Sequence, residues 1–309
     1  MIAPAVVTRN LVKRRGKLRA LDGITLAVPR GAVMGLVGEN GAGKTTWMMT
    51  VAGFLRPDSG EIDLLGSGPF DAGIHAGRIS ILPQDSELPL ESTPMGALCR
   101  FARLQGLTAE AAARSAREVL AAVNLLDRAD VPVRTLSHGM RKRARVAQCF
   151  VGNPELVMLD EPLNGLDPVE AARLRGFILG QRGRRTVVVS SHNLEDVERL
   201  CTHVAVVRKG RLMKSDAISA FTRETGRVVY TLSSAPADLA ALSAAMPDAR
   251  FEWCEKERRL ACSFPAGGCG IAEANRRLLP ALLAQTEVVA VAPGRSLEET
   301  FLNFPAEQP

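Results

Sequence analysis

Residues 38–45, Gly-Glu-Asn-Gly-Ala-Gly-Lys-Thr, form a segment that few folds accommodate. They follow an apolar run at residues 32–37 and open a predicted helix at residues 44–54. Glycines at a strand–loop–helix junction let backbone N–H groups turn inward as a nest for anions. Lys44 then reaches the outer phosphates, and the Thr45 hydroxyl can ligate Mg²⁺. A glycine-rich turn without a ligand is the alternative, but every fixed position matches. The segment therefore predicts nucleotide binding.

Continuous apolar runs rich in β-branched residues accompany this segment. Such runs predict strands of a sheet that is buried on both faces, as in α/β folds. Two further strands are predicted at residues 20–28 and 61–65, because turn-forming Pro-Arg-Gly and Asp-Ser-Gly sequences lie beside them. The continuous runs are residues 33–37, 156–159, 186–189 and 204–207.

The composition changes at residue 92, where the chain becomes rich in alanine and arginine. Apolar positions between residues 92 and 124 recur at helical spacing, and no strand pattern interrupts them. We predict a helical insertion into the α/β domain at about residues 88–150. A surface helix pair without a special role is the alternative.

A second change follows residue 226. The remaining patterns alternate as strand, helix, strand, strand, helix, strand, with a short terminal helix at residues 296–303. This order is typical of a small ferredoxin-like α+β unit. We therefore predict one domain at residues 1–222 and a C-terminal accessory domain at residues 227–309.

Polar side chains stand where the predicted strands end. Asp160 and Glu161 follow one apolar run, and His192 follows another. Ligands of open α/β sheets bind at the carboxyl ends of the strands, so Asp160 is placed to hold Mg²⁺ and Glu161 to polarise an attacking water. His192 is placed to hydrogen-bond a γ-phosphate. Alone, each is more simply explained as a polar loop residue, and Gln84, at the end of another strand, is an ordinary loop amide.

Composition limits the cellular setting. No apolar run approaches the ~20 residues that cross a bilayer, and no basic stretch precedes the first apolar residues as in a signal peptide. We expect a cytosolic protein. The net charge of +6 comes from dispersed arginines and favours an anionic partner: a nucleotide, an acidic lipid surface or a nucleic acid.

Residues 136–143, Leu-Ser-His-Gly-Met-Arg-Lys-Arg, resemble the LSGGQ-type signature of ATP-binding-cassette (ABC) proteins. Around this signature the other motifs stand in the order of that family: the phosphate loop, Gln84 as Q-loop, the strand carboxylates, a D-loop at residues 164–167, and His192 as switch histidine. The resemblance covers residues 6–220. It implies a P-loop NTPase fold of the ABC type, with a mixed sheet core, an antiparallel N-terminal β subdomain and a helical insertion.

The resemblance also implies a role for each matching residue, with ATP as the nucleotide and Mg²⁺ as its metal ion. Glu161, His192 and Lys44 are the expected catalytic residues. Thr45, Gln84 and Asp160 are the expected metal ligands. Ser137, His138, Gly139 and Met140 form the signature, and Asp167 belongs to the D-loop. The expected ATP-binding residues are Gly38, Glu39, Asn40, Gly41, Ala42, Gly43, Lys44, Thr45, Thr46, Arg15 and Gln84.

A cassette of this kind implies a head-to-tail dimer, formed with a second copy or with a paralogous cassette. Each ATP lies between the phosphate loop of one chain and the signature of the other. Residues 161–168 and the Ser-x-Gly-Met signature look like those of bacterial exporter cassettes, which serve drug, antibiotic, lipid or polysaccharide export. Their partner is a separate membrane-spanning permease, which would hold this chain at the inner face of the cell membrane.

Two positions depart from the family pattern. His138 stands where the signature has glycine, and an outward-pointing, tolerated substitution is the favoured explanation. Adenine is usually stacked on an aromatic ring, but residues 1–37 contain no Phe, Tyr or Trp. Arg15 occupies the matching place, and a guanidinium plane can stack on a base. A solvated basic loop is the equally weighted alternative.

Two other functions are alternatives. A soluble ABC ATPase acting on nucleic acid or ribosomes usually shows duplicated cassettes, long coiled-coil insertions or zinc-binding cysteines. This chain has one cassette, no cysteine pair and no aromatic residues interleaved with its basic ones, so no specific nucleic acid is expected. A cassette that binds ATP without turnover is disfavoured because Lys44, Asp160, Glu161 and His192 are all present.

Overall fold

The computed structural model describes residues 3–218, 220, 226–264 and 271–293, and the first of its two compact units is Met1–Ser215. The strands of this part of the chain form two sheets. They are β1 (Val6–Arg15), β2 (Leu18–Val28), β3 (Val33–Val37), β4 (Ser59–Leu64), β5 (Ile79–Leu82), β6 (Leu156–Leu159), β7 (Thr186–Ser191), β8 (His203–Arg208) and β9 (Arg211–Ala217).

The larger sheet has the strand order β5–β6–β7–β3–β8–β9, and its pairs from β5 to β8 are parallel. Every residue of β3, β6 and β7 is buried, as expected for a sheet that is covered on both faces. The predicted continuous strands are confirmed. Because β6, β7 and β3 are neighbours and run in the same direction, the loops at their carboxyl ends lie side by side.

The smaller sheet has the order β2–β1–β4, and both of its pairs are antiparallel. This confirms the antiparallel N-terminal subdomain. The strand predicted at residues 20–28 begins earlier, at Leu18, because the hairpin pairing continues to the couple Arg15–Leu18 at its tip. This tip lies beside the phosphate loop.

The helix that follows the phosphate loop, α1 (Lys44–Val51), packs Trp47 and Met48 into a core contributed by both sheets. It ends before the predicted residue 54, because Gly53 has a left-handed φ of 80°. The other helices of this unit are α2 (Ala72–His75), α3 (Pro94–Leu104), α4 (Ala109–Ala122), α5 (His138–Gln148), α6 (Pro168–Leu179) and α7 (Leu194–Leu200).

The predicted helical insertion consists of α3, α4 and α5, which share a core that runs from Leu88 to Val151. Side-chain caps begin all three helices: Thr93, Thr108 and Ser137 each accept a hydrogen bond from a backbone N–H of the first turn. Between α4 and α5 the chain makes only two short 3₁₀ turns. The insertion therefore has its own hydrophobic core and presents the start of α5 as a capped helix terminus.

The described elements of the second unit, Asp216–Pro309, are β10 (Arg227–Leu232), α8 (Leu239–Ala245), β11 (Arg250–Cys254), β12 (Arg259–Ser263), α9 (Ile271–Leu283) and β13 (Val288–Pro293). The strands form a sheet with the order β11–β12–β10–β13, in which all pairs are antiparallel. Helices α8 and α9 pack against it around a core that includes Tyr230 and Leu278. This is the ferredoxin-like arrangement predicted from the order of patterns.

Two predictions about the ends of the units stay predictions. The division between the units falls after Ser215, whereas the predicted boundary lies between residues 222 and 227. Most of that stretch, and the helix predicted at residues 296–303, lie outside the described residues. Within the described ranges, no helix has the length and apolar character needed to cross a membrane.

Candidate nucleotide site

The phosphate loop, residues 38–45, closes around the amine of Lys44. This side chain is only 6% exposed, and its Nζ donates hydrogen bonds to the carbonyl oxygens of Gly38 at 2.5 Å and Glu39 at 3.1 Å. The amine thus bridges the start of the loop to the start of α1. Backbone carbonyls occupy part of its hydrogen-bonding capacity and hold it at the mouth of the loop.

Two glycines of the loop fit because they lack a side chain. A Cβ at Gly38 would lie 2.2 Å from the carbonyl oxygen of Val207, and one at Gly43 would lie 2.5 Å from the carbonyl oxygen of Ala20. Gly43 also has a φ of 109°, which side chains disfavour. The loop is therefore pressed against the backbone of β2 and β8.

We expect Gly38→Ala to lower the free energy of unfolding by about 2–4 kcal/mol, because the new methyl group meets backbone that cannot rotate away. Urea unfolding followed by circular dichroism would measure this. Gly176→Ala in α6 is the matched control: nothing lies within 4 Å of its Cβ, and alanine favours helix by up to about 1 kcal/mol. Equal stability of the two variants would contradict the close packing of the loop.

Asp160, directly after β6, joins three elements of the site. Its Oδ2 accepts a hydrogen bond from the Thr45 hydroxyl at 2.6 Å, and its Oδ1 accepts one from the Ser190 hydroxyl at 2.5 Å. Asp160 is 4% exposed. Sequence reasoning assigned no role to Ser190, although its place at the end of a buried strand beside His192 was the available signal. The carboxylate is fixed from both sides.

Glu161 has an unusual backbone conformation, with a φ of 48° for a non-glycine residue. Its N–H donates to the Ser190 hydroxyl at 2.8 Å, and both carboxylate oxygens lie 3.1 Å from Nδ1 of His192. Its Oε1 lies 3.7 Å from Nζ of Lys44. Such a conformation costs energy and persists only where the surroundings enforce it. Glu161 thus contacts the other two predicted catalytic residues, His192 and Lys44.

Burial and neighbouring charges act on the pKa of Lys44 in opposite directions. Burial lowers the pKa of its ammonium, while the negative charges of Glu161 and Asp160 and a hydrogen bond to Glu161 act to raise it. The net result is a lowered pKa. A largely desolvated cation attracts a phosphate group, whose negative charge compensates for the hydration that the ammonium has lost, while the two carboxylates oppose this attraction.

Lys44, Glu161 and His192 line one open cleft of about 430 Å³, and Asp160 lies behind Thr45 without lining it. Arg15 and Leu18, opposite each other at the tip of the β1–β2 hairpin, lie at its wall. Gln84 lies there too, as predicted. Gly38 and Glu39 stand at the base of the loop and contact Lys44 rather than the cleft. The lining residues are Arg15, Leu18, Ala20, Asn40, Gly41, Ala42, Gly43, Lys44, Thr45, Thr46, Gln84, Glu161, Asn164 and His192.

The predicted Mg²⁺ ligands are compatible with that ion. Thr45 and Asp160 are in hydrogen-bond contact, and Gln84 faces the same cleft. All three supply hard oxygen atoms, and Mg²⁺ usually takes one or two protein oxygens together with phosphates and water.

The signature and the D-loop aspartate lie outside the nucleotide cleft. Ser137 caps α5 by accepting a hydrogen bond from the N–H of Met140 at 3.2 Å, and His138 lines a separate pocket with Glu87 and Arg141. Asp167 caps α6 by accepting from the N–H groups of Val169 and Glu170, each at 3.0 Å. None of these residues lines the nucleotide cleft. The structure thus brings together the phosphate loop, Asp160, Glu161 and His192, but not the signature.

Comparison with known proteins agrees with this geometry. The family model described as ABC transporter matches residues 21–164. A Nod factor export ATP-binding protein I of Burkholderia lata is 36% identical over 214 residues, which are 68% of this chain and 69% of that protein. A daunorubicin resistance ATP-binding protein of Streptomyces coeruleorubidus is 36% identical over 228 residues, which are 73% of this chain and 72% of that protein.

Solved structures show the same fold. The protein cbiO1 from Clostridium perfringens, part of the ABC transporter complex cbiONQ, has a TM-score of 0.64 at 24% identity, covering 72% of this chain and 92% of that one. An ATP-binding cassette of an ABC transporter in its ADP conformation has a TM-score of 0.61 at 24% identity, covering 70% and 92%. With a shared fold, related sequences and a nucleotide cleft, this chain belongs to the ATP-binding cassette proteins of ABC transporters, a family of ATPases coupled to transport.

Proposed function

We propose that this chain energises the export of a substrate through a separate membrane-spanning permease, by binding and hydrolysing ATP. The observation that carries the proposal is the contact of Glu161 with both His192 and Lys44 beside the phosphate loop. A carboxylate in this position has a cation on one side and an imidazole on the other. It can orient a water molecule toward the terminal phosphate.

The direction of transport follows from the relatives. One is a Nod factor export protein and the other a daunorubicin resistance protein. We infer an exporter in which this chain sits on the cytoplasmic side of the membrane and touches its permease. In this proposal the permease chooses the substrate.

The signature supplies the second half of the site in this proposal. Ser137 and the first N–H groups of α5 form a capped helix terminus, which favours negative charge. Because they lie outside the chain's own cleft, they are free to contact the γ-phosphate held by a second chain. ATP then acts as a bridge between two cassettes, and its hydrolysis removes the bridge.

Within one cleft the residues divide the work. Lys44 and the loop N–H groups bind the phosphates, Glu161 accepts a hydrogen bond from the attacking water, and His192 orients the Glu161 carboxylate. Asp160 and Thr45, with Gln84, would hold Mg²⁺, which when bound neutralises charge on the phosphates. Ser190 fixes Asp160 and the backbone of Glu161 at once.

Co-expression with the product of the neighbouring reading frame tests the proposal, which requires that product to be a membrane-spanning permease. We expect the two chains to purify together from membranes and ATP to drive substrate accumulation in inside-out vesicles. The Glu161→Gln variant should co-purify without driving accumulation. Co-purification with ribosomes or DNA instead, with ATP hydrolysis stimulated by nucleic acid, would support the soluble ATPase and overturn the exporter.

Adenine recognition gives a separate prediction. We expect Arg15→Ala to raise the dissociation constant for ATP about 3- to 10-fold, because a guanidinium stacked on a base contributes roughly 1 kcal/mol. Isothermal titration calorimetry would measure it. Lys17→Ala removes a cation from the same hairpin without touching the cleft and should change little. An unchanged constant for Arg15→Ala would reject the stacking role and leave Leu18 as the apolar surface for the base.

A further inference from the structure

Arg143 of α5 is a buried charge that the nucleotide site does not use. It is 2% exposed, and its Nη1 donates hydrogen bonds to the carbonyl oxygens of Val123 at 2.5 Å and Asn124 at 3.1 Å. Its Nε lies 2.6 Å from Oε2 of Glu170 in the first turn of α6, an ion pair that lacks the geometry of a hydrogen bond. One guanidinium therefore joins the end of α4, the signature helix α5 and the helix that follows the D-loop.

Helices α5 and α6 meet at a second point, which lies within the signature itself. A Cβ at Gly139 would lie 2.8 Å from Cγ of Glu170, so glycine allows the first turn of α5 to pack directly on the Glu170 side chain. Glu170 is thus held between Gly139 and Arg143, which are one turn apart on α5. The opposite side of its carboxylate pairs with Arg173 at 2.8 Å.

A third contact reaches the loop that carries Glu161. Nζ of Lys142 donates to the carbonyl oxygen of Asn164, in the D-loop. The start of α5 is consequently attached to residues 164–170 through a backbone carbonyl, a close glycine contact and a buried ion pair. Ser137 and Asp167 are the caps of the two helices that these contacts join.

A buried ion pair is a poor source of stability, because desolvation of both charges offsets their attraction, and apolar residues of similar size often serve as well. What such a pair does provide is attachment: the Arg143 guanidinium is fixed to the end of α4 by its two carbonyl hydrogen bonds, and either charge would be costly if the other moved away. The pair therefore serves to hold the two helices in place more than to stabilise the fold.

We propose that Arg143 and Glu170 are positioning residues that hold the signature and the D-loop as one rigid surface for the second cassette. The proposal rests on the two-chain site proposed above. Ser137 and Asp167 begin helices whose first turns this pair joins, so loosening the pair misaligns both groups together. The chain's own phosphate loop, which shares no contact with Arg143 or Glu170, should bind ATP as before.

The test uses the Glu161→Gln chain, in which ATP-bound dimers are expected to accumulate. Adding Glu170→Gln keeps the shape of the side chain but removes its charge. We expect dimerisation in ATP to weaken about tenfold, measured by analytical ultracentrifugation, with an unchanged dissociation constant for a fluorescent ATP analogue at protein concentrations where the chain is monomeric. Arg173→Ala, which removes only the half-exposed partner of Glu170, is the matched control and should dimerise normally.

A second variant guards against loss of folding. Arg143→Met combined with Glu170→Met removes both charges and leaves neither buried alone; we expect it to fold, bind ATP and dimerise about tenfold more weakly. If either variant folds and dimerises as strongly as the control, the positioning role is wrong. It is also wrong if the affinity for ATP falls by the same factor as dimerisation. If the Glu161→Gln parent forms no dimers in ATP, the two-chain site itself fails, which is a distinct result.

Discussion

Glu161→Gln is expected to lower kcat for ATP hydrolysis by about 100-fold or more while ATP binding persists. Glutamine keeps the shape of the side chain but cannot accept a proton or attract the attacking water as strongly. It also removes one of the two carboxylates that face Lys44, so the repulsion felt by an incoming phosphate decreases. Affinity for ATP should therefore stay equal or rise.

Phosphate release measures kcat, and calorimetry measures the dissociation constant of ATP. Glu61→Gln is a suitable control, because the Glu61 side chain is 75% exposed on β4 and does not line the cleft. Hydrolysis at the parent rate by the Glu161→Gln chain would contradict the assigned function of this carboxylate. Loss of ATP binding would show instead that Glu161 maintains the shape of the loop.

Trapping should accompany the loss of turnover. If ATP bridges two chains, a chain that binds but does not hydrolyse ATP accumulates as a dimer, and ADP fails to replace ATP in this effect. A monomer at all concentrations of ATP would contradict the proposed bridging by the signature, while leaving the role of Glu161 in hydrolysis intact.

The parts of the site whose placement follows from the sequence are local in origin. The phosphate loop depends on glycines and a lysine within eight consecutive positions, and the strands on either side are continuous apolar runs. The placement of Asp160 and His192 near the loop requires one further step, namely that the strands are parallel neighbours. Apolar runs without alternation indicate such a sheet, so this step was also within reach.

Contacts between residues that are far apart in the sequence do not follow from such local patterns. Ser190 holds both Asp160 and the backbone of Glu161, yet a serine at a strand end carries no distinctive pattern. Arg143 belongs to a run of basic residues that suggests a solvated surface, whereas the fold buries it against Glu170, 27 positions along the chain. Such pairs are set by how helices pack, and helix packing is not encoded in spacing along one element.

Two element boundaries also differ from those predicted. The sequence predicts that the helix after the phosphate loop continues to residue 54. A left-handed turn at Gly53 ends it instead, and the carbonyl of Thr50 accepts from the N–H of Gly53 in that turn. The hairpin tip at Arg15 and Leu18 was likewise fixed by strand pairing rather than by composition.

Lys44→Met is expected to weaken ATP binding by about 100-fold or more, because it removes the only side-chain cation among the described residues that contacts both the loop carbonyls and Glu161. Methionine keeps most of the length of the side chain, so the loop should retain its shape. Without the ammonium, Asp160 and Glu161 present uncompensated negative charge to the phosphates. Calorimetry with ATP and Mg²⁺ would measure the loss, and Lys13→Ala, whose cation pairs with Asp58, is the control.

The same variant should not be less stable. Burial lowers the pKa of Lys44 even though two carboxylates oppose the shift, so the folded chain holds this proton less tightly than the unfolded chain does. At neutral pH the charged amine therefore opposes folding, and this cost disappears only as the pH rises above the folded-state pKa. We expect Lys44→Met to unfold at an equal or higher urea concentration than the parent at pH 7. A lower midpoint would mean that the hydrogen bonds from Lys44 to Gly38 and Glu39 stabilise the fold more than burial of the charge destabilises it. A higher midpoint would show that the charged amine, which the phosphates require, lowers the stability of the fold.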